Sequence, residues 1–409
     1  MKPVVTKPAF FQRLEDDRFR EVGIPLADRR FLYDLADRHL TLARNGVPDE
    51  AGAPLLVDAA QYTDPAIYAR EQACLFARLP RIAGLSRDIA APGDYLVVAG
   101  TRAPIIVVRD SQGAARAFVN ACRHRGAELV HAPRGNLPLR LSCPYHGWTY
   151  GLDGRLLGQP CQHAFNGIDR AALGLVPIAC EERHGLLFVA PGAEQSLDLD
   201  AFLGAELDAE LASWNYGQLQ FAHAESMALD GNWKLALDSF CEFYHFDHAH
   251  RASLAHYYNS NVKTVDELGR HLRISASLKT IVAEYPRLPA AERRPENYVH
   301  VTYLLLPGTV LVNTQQVLEL FHIVPTGIDT MQLQHRCYSR LPLDVADNAA
   351  LIDAIWQATH HIVRNEDMRC SVEGVQRALH SGAVPALVFG RNEWPAHLMH
   401  RKLNESMEF

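Results

Sequence analysis

The chain has 409 residues, of which 48% are hydrophobic and 21% charged, and its net charge is −7. That length exceeds one ordinary core and predicts two domains, and the acidic balance argues against nucleic acid or an anionic membrane as a partner. Eight cysteines in so long a chain do not resemble a secreted disulfide scaffold; beside 20 histidines they direct attention to metal ligation.

The first residues, Met1-Lys2-Pro3-Val4-Val5, lack the apolar run of a secretory signal. The longest apolar stretch, residues 301–312, is broken by Pro307-Gly308 and is too short to span a bilayer. A cytoplasmic protein is the expectation. Residues 1–58 read as a polar helical segment packing on the second domain. A helix over 60–80 leads into a β-rich domain at 59–192, with short β-branched runs at 95–98, 104–108, 117–119 and 185–189. Turn signals such as Pro92-Gly93-Asp94 and Asp110-Ser111-Gln112-Gly113 separate them. Pro191-Gly192 marks the boundary with a domain at 193–409. There a helix fits 232–250, strands fit 299–306, 309–313, 317–324 and 331–339, and a long helix fits 348–379. Strands followed by a long helix predict an α+β domain, an antiparallel sheet wrapped on that helix. Leu304, Leu306, Val312, Val317 and Leu320 on those strands are expected to face the helix or a pocket, and core packing explains them equally well.

Two matching hooks carry the first chemistry. Cys122-Arg123-His124 is followed, after 18 intervening residues, by Cys143-Pro144-Tyr145-His146, and each hook has a glycine close behind it, Gly126 and Gly147. A zinc site of two Cys and two His ordinarily pairs Cys with Cys and His with His in its hooks. Here each hook carries one of each. In a Rieske [2Fe–2S] centre two Cys bind one iron and two His the other, so each hook would give one ligand to each iron.

A cluster alone moves electrons. The segment from Asn232 to His250 holds the residues that oxygen chemistry would need: Asp238, Glu242, His245, His248 and His250. Fe(II) that activates O2 favours two His and one carboxylate on one octahedral face. On an ideal helix Asp238, Glu242, His245 and His248 share a stripe, whereas His250 needs the helix to break. Helix geometry alone therefore pairs His245 with His248. The carboxylate must come from elsewhere in the chain, and Asn365-Glu366-Asp367 in the long helix is a source.

The two hooks, with Gly147-Trp148-Thr149-Tyr150 after the second, resemble the cluster loops of Rieske non-haem iron oxygenase large subunits, the aromatic ring-hydroxylating family. The resemblance covers residues 60–395. It implies Cys122, His124, Cys143 and His146 as cluster ligands, without the extra cysteines and stapling disulfide of respiratory Rieske proteins. Cys161 and Cys180, outside the loops, are taken as structural. It selects His250 over His248, and the pattern Glu366-Asp367 with Val375-Gln376 selects Asp367 as the third ligand of a mononuclear iron, with Glu366 its rival. It makes Glu242 the acid that links the iron site to the cluster of a neighbouring subunit, although the family there usually carries Asp; Asp238 is given an orienting role behind the histidines.

The family further implies a helix-grip-like catalytic fold and a homotrimer, with room for a small beta subunit. Electrons come from NAD(P)H through a flavin and iron–sulfur reductase, with or without a ferredoxin, and O2 is the co-substrate. The implied activity is hydroxylation or oxidative dealkylation of a small organic substrate, aromatic compounds first. Glu242 and the single chain type favour monooxygenation over cis-dihydroxylation. A Rieske electron carrier without oxygenase chemistry is the competing function, and a zinc scaffold a more distant one.

Overall fold

The computed structural model describes residues 26, 28, 30–98, 104–193 and 195–408. The chain forms two compact units: one of residues 72–202 with 216–218, the other of residues 1–71, 203–215 and 219–409. The expected boundary at residue 59 therefore lies at 71/72. The reason is local: Tyr62 donates to Asp238 at 2.8 Å and Glu71 is ion-paired with Lys234, so residues 59–71 fold with the larger unit. Residues 1–25, 27 and 29 of the predicted helical segment at 1–58 lie outside the described residues.

In the smaller unit the predicted strands are present as Asp94–Val98, Ile105–Arg109, Ala115–Val119 and Leu186–Val189. The first three lie in an antiparallel five-stranded sheet whose edges are Pro177–Ile178 and Arg134–Asn136. Strand Ile105–Arg109 is buried along its whole length. Alternation explains why an unbroken β-branched run is needed there: Ile105 and Val107 enter one core while Ile106 and Val108 enter another. Leu187, Val189 and Ala83 of a three-stranded sheet complete the first core. Cys122, Cys143, Trp148 and Tyr150 belong to the second, so the hooks are rooted in packed apolar structure.

The larger unit is built on a seven-stranded antiparallel sheet. Its order is Gln220–Leu229, Thr330–Ser339, Val317–Gly327, Thr309–Asn313, Val299–Leu305, His271–Leu278 and Tyr258–Leu268. Four of these strands match the predicted ones; the other three were not foreseen. The long helix runs as Ala346–Ile362, a π-helical stretch Val363–Gly374, and Val375–His380. It packs Leu351, Ile352 and Ile355 on Val317 and Cys337 of the sheet. Helix Arg30–Asn45 buries Leu32, Leu35, Ala36 and His39 in the same unit, and His39 Nε2 meets Ser275 Oγ at 2.8 Å. No helix among the described residues is long and apolar enough to cross a membrane.

The helix expected over 232–250 is shorter, Trp233–Phe240. Asn232 caps it by accepting the Lys234 amide at 3.0 Å, and Gln376 accepts the Asn232 amide at 2.8 Å, tying this helix to the long one. The helix stops at Cys241. Beyond it the Glu242 carboxylate accepts the His245 backbone N–H at 3.0 Å, a side-chain bond that competes with helical continuation. A 3-10 turn, Tyr244–Asp247, follows.

Candidate metal centres

The two hooks fold into equivalent loops. The Cys122 amide donates to Ala127 O at 2.8 Å and the Gly126 amide to Cys122 O at 2.9 Å; the Cys143 amide donates to Trp148 O at 2.7 Å and the Gly147 amide to Cys143 O at 3.1 Å. Each loop thus closes on its own cysteine with the same register. Gly126 and Gly147 have φ of 76° and 70°, a left-handed turn that glycine adopts without steric cost. Both thiols are buried in the same apolar core and free of disulfides, as are the other six cysteines; Cys161 is exposed and Cys180 half-buried.

The His124 and His146 rings lie 4.7 Å apart, and His124 is stacked on Trp148 at 4.9 Å. His124 Nδ1 is buried with no hydrogen-bond partner. Burial, then the neighbouring His146 and Arg125, push the His124 imidazole below its ordinary value, which keeps it in the neutral form that ligates. Two adjacent buried thiols, two adjacent imidazoles and an unpartnered buried nitrogen fit a [2Fe–2S] group. Tyr150 was not foreseen as part of this site. Its hydroxyl lies 3.2 Å from Cys122 Sγ and accepts the Arg123 amide at 3.0 Å. Hydrogen bonds to cluster sulfur raise the reduction potential. Tyr150→Phe is therefore expected to lower it by about 40 mV, one bond of ~1 kcal/mol in a one-electron couple, as read by a redox titration.

The second centre lies in the larger unit. His245, His250 and Asp367 each point a ligand atom at one spot, all within 4.8 Å of one another. His245 Nε2 and His250 Nε2 are 3.0 Å apart, and an Asp367 oxygen is 3.3 Å from the first and 2.9 Å from the second. Ligands about 2.1 Å from one divalent cation and cis to each other are separated by about 3 Å, so the three atoms have facial spacing. The far nitrogens are also held. His245 Nδ1 meets Glu242, and His250 Nδ1 meets Glu366 Oε2 at 2.7 Å, which itself accepts the Ser253 hydroxyl at 2.6 Å.

Electrostatics agree with this geometry. Burial would push the His245 imidazole down, but bonds to Asp367 and Glu242 outweigh it and hold it up at about 10; His250 is likewise raised. Asp367 is held below its ordinary value, against burial, by the two imidazoles. Three carboxylates around two imidazoles leave an excess of negative charge that a divalent cation neutralises.

His250 is buried and His248 exposed, so the break in the helix turns His250 inward and leaves His248 in solvent. Glu366 supports a histidine and Asp367 supplies the converging oxygen. Asp238 departs from expectation: its oxygens take Tyr62 Oη at 2.8 Å and His400 Nε2 at 2.9 Å, and its position behind His245 is filled by Glu242. The stripe that placed it there needed a helix that ends at Phe240. Ser253 and the Glu319–His335 pair carried no sequence signal.

A cavity of about 500 Å³ opens on this centre. Phe240, Phe243, Phe246, Tyr258 and Phe321 form much of its wall. Of the apolar sheet residues expected to face a pocket, Val312 and Val317 do so, while Leu304, Leu306 and Leu320 are core.

Two family models match the chain: a Rieske [2Fe-2S] domain over residues 81–177 and a ring hydroxylating alpha subunit (catalytic domain) over 216–408. The glycine betaine monooxygenase oxygenase subunit of Chromohalobacter salexigens is 41% identical over 191 residues, which are 46% of this chain and 42% of that one. This chain thus spans less than half of that relative's length. The chloroplastic choline monooxygenase of Beta vulgaris is 26% identical over 377 residues, 88% of this chain and 78% of that one. The crystal structure of the quaternary ammonium Rieske monooxygenase CntA shares the fold, with a TM-score of 0.73 at 21% identity, over 89% of this chain and 98% of that one.

Proposed function

The chain belongs to the family of Rieske non-haem iron oxygenase alpha subunits, and from that premise we propose that it inserts one oxygen atom of O2 into a small quaternary ammonium substrate. The observation that carries the oxygenase reading is the facial spacing of His245, His250 and Asp367, each imidazole fixed from behind by its own carboxylate. In this reading those three residues hold a mononuclear iron, and Cys122, His124, Cys143 and His146 hold the cluster. Bound there, the iron supplies O2 activation and the cluster supplies electrons one at a time.

The protein's part is to position and to exclude. Glu242 and Glu366 accept the Nδ1 protons, so both Nε2 lone pairs face the metal. The aromatic wall keeps water from the reacting carbon. Glu242, partly exposed and bonded to His245, also suits the role of electron bridge to the next subunit of a homotrimer. Reductant arrives from NAD(P)H through a separate reductase. Two electrons and two protons reduce one oxygen atom to water while the other enters a C–H bond. At an N-methyl group the resulting hemiaminal expels formaldehyde. The substrate reading moves from aromatic compounds to quaternary amines on two grounds: Glu242 stands where the family usually has Asp, and relatives act on glycine betaine and choline.

The test is reductase-coupled O2 uptake by iron-replete protein across quaternary amines and aromatic compounds. Stimulated uptake by a quaternary amine is expected, with one formaldehyde or one hydroxyl per O2. A cis-diol from an arene would replace this reading with dioxygenation, and a chain carrying about two irons rather than three would leave the electron carrier.

A further inference from the structure

Glu319, we infer, is the residue with which this cavity selects a positively charged ligand head over a neutral one of the same shape; the inference rests on the quaternary ammonium reading above. Val317, Glu319 and Phe321 alternate on one strand and all line the cavity. Glu319 is 2% exposed. One of its oxygens, Oε2, accepts from His335 Nε2; the other, Oε1, is buried without a hydrogen-bond partner.

His335 is 0% exposed, and its Nδ1 is buried without a partner. The ring is clamped, stacked on Phe321 at 4.2 Å and lying 4.4 Å from Trp356. His335 therefore holds Glu319 in place and leaves its second oxygen unbonded.

The other carboxylates of the cavity wall are engaged. Glu242 and Asp367 serve the histidines, and Glu284, half-buried, accepts Tyr298 Oη at 3.3 Å. Lys279 is exposed and donates to Ala255 O at 2.6 Å. A buried carboxylate with an unbonded oxygen, in a cavity wall shared with Phe321 and Phe240 whose rings lie 5.0 Å apart, is complementary to a methylated ammonium: the carboxylate supplies charge, and the aromatic rings supply cation–π contact.

The experiment compares equilibrium binding of two isosteric pairs to the holoenzyme: choline against 3,3-dimethylbutan-1-ol, and glycine betaine against 3,3-dimethylbutanoate. Wild-type protein is expected to bind the ammonium member of a pair at least tenfold more tightly. In Glu319→Gln that preference falls to within twofold while the affinity for the carbon isostere is kept. His335→Gln, which retains the carboxylate and offers it an amide donor, keeps the preference, and it guards against a Glu319→Gln protein that does not fold. An unchanged preference in Glu319→Gln, or its loss in His335→Gln alone, overturns the role of Glu319 and leaves the substrate reading standing. A wild-type protein that prefers neither ammonium ligand overturns both.

Discussion

Asp367→Ala is expected to yield protein with an intact cluster, about two irons per chain in place of about three, and no substrate-dependent O2 uptake. The expectation follows from how few atoms close the site. Asp367 supplies the only carboxylate oxygen within 3.3 Å of both His245 Nε2 and His250 Nε2 among the described residues. Two imidazoles alone leave the octahedral face open. Glu366 cannot step in, because its carboxylate is already shared by His250 Nδ1 and the Ser253 hydroxyl. Iron analysis together with the rhombic signal of the reduced cluster checks the result. A variant retaining the third iron and its activity would show that Asp367 is not a ligand.

Glu242→Gln is expected to separate metal binding from turnover. The amide oxygen of Gln can still accept from His245 Nδ1, so the imidazole stays oriented, but the negative charge is gone. Loss of such a partner typically costs 10–100-fold, and turnover should fall within that range while both metals load normally. Comparing multiple turnover with a single turnover of pre-reduced protein locates the defect. If electron delivery between subunits runs through Glu242, the steady-state rate suffers far more than the single turnover. Normal coupled turnover in the variant would remove the bridge and leave Glu242 only as the partner of His245.

The parts of the molecule that were legible in the sequence are those whose partners are neighbours in it. Each cluster hook is complete within a few residues, and its loop is set by one glycine and two backbone bonds, so spacing alone conveyed it. The iron ligands were harder. His245 and His250 are five apart, which a regular helix cannot bring together, and the turn that does so depends on the Glu242 side chain accepting a backbone hydrogen bond. Helical geometry favoured His248 because it could not see that bond.

Two of the three unforeseen strands escaped for another reason. Tyr258–Leu268 and His271–Leu278 bury Lys263, Thr264, Ser275 and Ser277, polar groups that find partners inside the fold: Thr264 and Ser275 pair at 2.6 Å, Lys263 donates to Asn392 O, and Ser277 accepts from Asn259 at 3.1 Å. Without apolar alternation they carried no strand signal. Glu319 and His335 lie on adjacent strands, 16 residues apart, and only the sheet register brings them together.

The wide turns of Val363–Gly374 give the long helix a property of their own. A π-helical stretch is an α-helix carrying surplus residues, and such stretches are retained where function needs them. Each residue of an α-helix advances about 100° around the axis. Deleting one residue ahead of Asp367 would thus let the backbone tighten into ordinary α-helical turns while swinging the carboxylate by roughly a quarter of a revolution. The shortened chain would gain in helical regularity and lose its hold on iron. Backbone economy has been traded there for aim, and the geometry of the centre depends on the length of this stretch.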